Sequence, residues 1–173
     1  MNLPIRIALT ALAAFAVLSP AAHAKRTEPI PTAIQVPAGH KLFEAHHAIG
    51  VQIYACNGTA WTFVAPRANL YNTRGKFRMS HFFGPTWMAK DGSYVVAHNA
   101  VPHPVAGTIP WLRLQAKSTG AGPFGDKLEK TAYIQRLNTT GGLAPDAATC
   151  NATTAGTQAE VPYTADYLFY RAK

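Results

Sequence analysis

Three features of this 173-residue sequence predict an all-β fold: apolar residues recurring at a period of two, turn-forming dipeptides between the runs, and no helical segment of useful length. The expected architecture is a single antiparallel β domain, sandwich or barrel, with long loops and one disulfide. A 48% hydrophobic and 14% charged composition excludes a disordered chain, and the length suits one domain.

The first clear strand opens at Gly50. Val51, Ile53 and Ala55 share one face, and Gln52, Tyr54 and Cys56 the other. Asn57-Gly58 accepts the positive φ angles of a two-residue turn, and Trp61-Thr62-Phe63-Val64 resumes extended chain, so a hairpin is expected over 54–64. Lys76–Phe83 alternates through Phe77, Met79 and His81. Asp91-Gly92 marks a turn between Trp87-Met88-Ala89 and Tyr94-Val95-Val96-Ala97. Further runs follow at Trp111–Leu114 and Thr131–Leu137. The last strand sets Val161, Tyr163, Ala165, Tyr167 and Phe169 on a single face. Only Lys41–Ala48 reads as briefly helical. The polar stretch 140–158 is long for a loop, and a bond from Cys150 to Cys56 would pin it.

The N-terminus reads as an export signal. Arg6 precedes an apolar run over Ile7–Leu18, shorter than the ~20 residues needed to span a bilayer as a helix. Pro20 and then Ala22-His23-Ala24 supply a break and a small-x-small cleavage pattern. The expected organisation is a cleaved signal peptide at 1–24, an extended arm at 25–37 with Pro29, Pro31 and Pro37, and one β domain at 38–173. The protein is then secreted or periplasmic. In an oxidising compartment, the two cysteines, Cys56 and Cys150, are expected to pair.

Several separated motifs carry a family resemblance. These are Gly50-x-Gln52-Ile53-Tyr54-x-Cys56 with Trp61-x-Phe63, then Pro66-x-Ala68-x-Leu70, and His81-Phe82-x-Gly84-Pro85-Thr86-Trp87 with Asp91-Gly92-Ser93. Ile109-Pro110-Trp111-Leu112, Ile134-Gln135-Arg136-Leu137-x-Thr139-x-Gly141-Gly142 and Tyr163-x-Ala165-Asp166-Tyr167-x-Phe169-Tyr170 complete the series. In this order they resemble the bacterial and fungal family called domain of unknown function 3455, over about residues 34–171. The resemblance implies an exported protein and transfers no catalytic residue.

One motif is a decoy. Gly120-x-Gly122-x-x-Gly125, with Asp146 about 20 residues later, matches the dinucleotide fingerprint on paper. That chemistry requires a helix N-terminus facing the pyrophosphate inside a βαβ unit. Pro123 occupies the loop, and only Asp126–Lys130 separates it from the next strand. An NAD-dependent dehydrogenase is not expected, and no cofactor is assigned. Ser93 lies in a turn without a nucleophile elbow, and Ser80 and His81 face opposite sides of a strand.

Three functional classes remain. The leading expectation is a non-catalytic module that binds a small or anionic ligand through His81, Trp87, Trp111, Arg78 and Tyr54, aromatics stacking on the ligand and Arg fixing an acidic group. An excess of 16 basic over 8 acidic residues favours small anions or an anionic polymer. The charge is dispersed, so no specific nucleic-acid partner is expected. The second class is a metal-binding or redox protein using His81, His98 and His103. The third is a hydrolase whose acid/base pair carries no sequence signature.

Overall fold

A computed structural model describes residues 29–173; the signal-peptide expectation at 1–24 lies outside the described residues. Eight antiparallel strands close into a barrel. They are β1 (His40–Cys56), β2 (Trp61–Tyr71), β3 (Phe77–Phe82), β4 (Thr86–Ala89), β5 (Tyr94–His103), β6 (Trp111–Gly120), β7 (Tyr133–Gly141) and β8 (Gln158–Ala172). Each strand pairs with its sequence neighbours, and β8 returns to β1 over most of the length of both. The alternative left open by the alternation is thereby decided as a barrel. Closure leaves no unpaired sheet edge.

The brief helical reading of Lys41–Ala48 is corrected. That segment is the start of β1, hydrogen-bonded to β8 from His40 onward and to β2 from His47. Long-range pairing on both sides outweighs a weak local preference. The hairpin is also reshaped: Cys56 pairs with Trp61, so the connection has four residues. Asn57 closes it with its side chain, whose Oδ1 accepts hydrogen bonds from the Thr59 and Ala60 amides at 3.0 and 2.9 Å.

The interior is filled by small and large residues together, as a narrow barrel requires. Ala48, Ala68, Ala89, Ala97 and Ala165 make room for Leu70, Met79, Trp87, Ile134 and Phe169, all buried. Gly50 lets β1 cross close to β2: a Cβ there would lie 2.2 Å from the Arg67 carbonyl oxygen.

Strand direction alternates around the ring, so the connections sort to two ends. The β1–β2, β3–β4, β5–β6 and β7–β8 loops share one end, and the β2–β3, β4–β5 and β6–β7 loops the other. This second end is plugged. Leu128, in the β6–β7 loop, is fully buried in the core cluster. Its amide donates to Ser93 Oγ at 3.1 Å, and Ser93 Oγ donates to Asp91 at 2.6 Å.

The glycine motif belongs to the same plug. Gly122 and Gly125 form a tight turn, and a Cβ on Gly122 would fall 2.1 Å from the Gly92 carbonyl carbon. Asp91 accepts the Lys127 amide at 3.1 Å. Residues 127–130 are turns, not the helix that a pyrophosphate site needs.

At the open end, Cys56 and Cys150 form the expected disulfide and anchor the β7–β8 loop to the end of β1. The N-terminal arm departs from a simple extended path. Thr32–Ile34 makes a 3-10 turn, and Ile34 is fully buried with Trp111 and Leu137 against the outside of the barrel. Gln135 Nε2 donates to the Ile34 carbonyl at 2.6 Å, and Arg113 donates to the Gln35 carbonyl at 2.9 Å.

Candidate functional site

The open end of the barrel leads into a mainly apolar cavity of about 330 Å³. Every strand contributes to its wall: Gln52 from β1, Pro66 from β2, His81 from β3, Trp87 from β4, Ala100 from β5, Leu112 and Leu114 from β6, Arg136 from β7 and Tyr167 from β8. The cavity is therefore the barrel lumen, at the small end of the range typical of small-molecule sites. Phe63, Val64 and Phe83 also line it while remaining exposed, so its mouth has an apolar rim.

His81 and Trp87 are directly opposite one another across β3 and β4. Their rings stack at a centroid distance of 4.0 Å and an angle of 4°. Tyr167 meets both edge-on, at 5.1 and 5.3 Å. His81 Nδ1 lies 2.9 Å from the Thr86 carbonyl oxygen, an acceptor, so Nδ1 carries the proton and Nε2 keeps its lone pair. Burial pushes the His81 pKa down to about 3, with the positive charge of Arg136 acting in the same direction against the Thr86 bond. The ring is neutral at ordinary pH.

Two residues of this wall carry buried donors without a hydrogen-bond partner among the described residues: Gln52 Nε2 and Trp87 Nε1. Leaving such a group unpaired costs about 1–3 kcal/mol. Arg136 donates from Nε and one terminal nitrogen to the Pro110 carbonyl at 3.1 and 2.9 Å. Among the described residues no carboxylate lies within ion-pair distance of it. Its charge acts on His81 and on the hydroxyls of Tyr163 and Tyr167, whose pKa values burial raises against that charge. The lumen thus combines apolar walls with a guanidinium that has no carboxylate partner among the described residues, and two of its wall residues carry buried N–H groups left unpaired among those residues.

Of the five residues expected to bind a ligand, His81 and Trp87 meet in this cavity. Trp111 does not. Leu112 and Leu114 face inward, so their neighbour Trp111 faces outward and packs under the N-terminal arm. Arg78 alternates away from the inward-facing Met79 and His81, and its charge is felt by His46 instead. Tyr54 is buried beside the rim without lining the cavity: its hydroxyl donates to the Gly142 carbonyl at 2.6 Å, and its ring meets Phe63 edge-on at 5.8 Å.

The three candidate metal ligands are separated by the barrel wall. His81 faces the lumen. His98 alternates away from the buried Val95 and Ala97, and His103 packs near Trp111 on the outside, with ring centroids 6.4 Å apart. Among the described residues, no three His, Cys, Asp or Glu side chains are grouped to hold a metal ion.

Sequence reasoning passed over Arg136 and Gln52 as site residues. The signal was present: Arg136 is in phase with the core residue Ile134, and Gln52 is in phase with Tyr54 and Cys56. A polar residue in phase with a buried face marks a lumenal position once the strand's inner side is known.

Residues 37–171 match the sequence profile of the family described as protein of unknown function, DUF3455, the family the motifs resemble. No curated protein and no solved structure matches the chain.

Proposed function

From the premise that the chain belongs to the DUF3455 family, we propose that it is an exported, non-catalytic binding protein that holds one small ligand in the lumen of its barrel. The observation that carries this reading is the cavity itself. It is reached by all eight strands, walled by apolar side chains, and edged by the exposed rings of Phe63 and Phe83. A dead-end lumen suits a compact molecule better than a polymer, which needs an open groove.

The disulfide supports export, since such bonds persist in oxidising compartments. Among the described residues, no helix is long and apolar enough to cross a membrane. Among the described residues, the neutral, stacked His81 has no carboxylate or nucleophile bonded to it, and its Nδ1 proton is held by the Thr86 carbonyl. This arrangement favours a wall element over a proton-transfer group.

The neutral fluorophore N-phenyl-1-naphthylamine tests the reading. It should bind at one site per barrel, saturably, and raise the unfolding temperature as a ligand of the native state must. A folded barrel that takes up no probe and shows no stabilisation would refute lumenal binding.

A further inference from the structure

We infer that the lumenal ligand is a compact aromatic carboxylic acid, bound as its anion with the carboxylate on Arg136 and the unused donors of Gln52 and Trp87. This rests on the lumenal-binding reading and adds the chemical class of the ligand.

The first argument is charge. Arg136 lines an apolar cavity without a carboxylate partner among the described residues, and a guanidinium in poorly hydrated surroundings is stabilised by an incoming anion. The second is the pair of orphan donors. Gln52 and Trp87 are 2% and 1% exposed, and both carry an N–H left unpaired among the described residues. Both groups donate, so what completes them is an acceptor.

The third argument is shape. A guanidinium is a planar fork that matches the two oxygens of a carboxylate. A phosphate dianion would bring a larger hydration penalty into the same apolar walls, with only one cationic side chain to offset it. The body of the ligand follows from the walls. The His81–Trp87 stack with Tyr167 edge-on presents aromatic surfaces, and Leu112 and Leu114 complete an apolar lining suited to a flat ring system. The volume of about 330 Å³ leaves space for one or two fused rings, not a long acyl chain.

Calorimetric titration with 2-naphthoate and its neutral isostere 2-naphthamide tests the assignment. Naphthoate should bind at least about tenfold more tightly, the scale of a charge-assisted hydrogen bond. The preference should vanish in Arg136→Met and partly survive in Arg136→Lys. Trp87→Phe and Gln52→Met keep the wall apolar and should each weaken naphthoate severalfold; both guard against misfolding of the arginine variants. Equal affinity for acid and amide, or a preference indifferent to Arg136, would overturn the carboxylate assignment while N-phenyl-1-naphthylamine binding left the lumenal reading standing. Failure of all three probes would overturn both.

Discussion

His81 shows how one side chain can report the state of the lumen. It is buried against Trp87, its pKa lies at about 3, and in the unfolded chain it would titrate near 6.5. The unfolded state therefore takes up a proton that the folded state refuses as pH falls below about 6.5. The stability that His81 contributes is complete above that pH and declines by about 1.4 kcal/mol per unit on the acid side. The slope of stability between pH 6.5 and 5 should be shallower in His81→Gln than in the wild type. His46, whose pKa is also lowered by burial against the pull of Glu44, contributes with the same sign in both proteins and cancels in the comparison. Identical slopes from urea unfolding across that window would show that the imidazole is protonated inside the folded barrel.

Among the elements, the β6–β7 loop is the one whose sequence misleads most. Its glycines imitate a phosphate-binding turn, yet they serve close packing against the β4–β5 turn at the plugged end. Asp91 is the hook: its carboxylate accepts from the Ser93 amide and hydroxyl and from the Lys127 amide. Asp91→Ala should cost about 1–3 kcal/mol and speed amide exchange in residues 121–131 ahead of the strands. A variant with unchanged exchange there would mean that Leu128 holds the plug unaided. Lys127 adds a second tie, donating to Glu44 at 2.8 Å. Burial alone would raise the Glu44 pKa, but the hydrogen bond and charge of Lys127, together with those of His46, outweigh it and lower the value.

For the whole molecule, the disulfide links positions 94 apart in sequence and ties the longest loop to the open end. In the chain-entropy account a bridge of that span stabilises by about 4–5 kcal/mol. Cys56→Ser with Cys150→Ser should lower the urea midpoint accordingly, with the deficit absent when wild type and variant are compared under reducing conditions. An unchanged midpoint in oxidised protein would place the stability of the open end in its hydrogen bonds, such as Trp61 Nε1 to Thr149 Oγ1 at 2.9 Å. Much of this architecture was legible in the residues. The period-two runs determined the strands, and of the face expected to hold Val161, Tyr163, Ala165, Tyr167 and Phe169, the last four are buried while Val161 is half-buried. The cysteine count determined the bridge. Periodicity states that two faces exist, however, without stating which is inside, and in β6 and β7 both faces are covered because the arm docks outside. Only closure of the ring decided that Trp111 faces the arm while Arg136 and Gln52 face the lumen. A cavity wall assembled one or two residues at a time from eight strands has no local signature, because its members are neighbours only through pairings that span the chain.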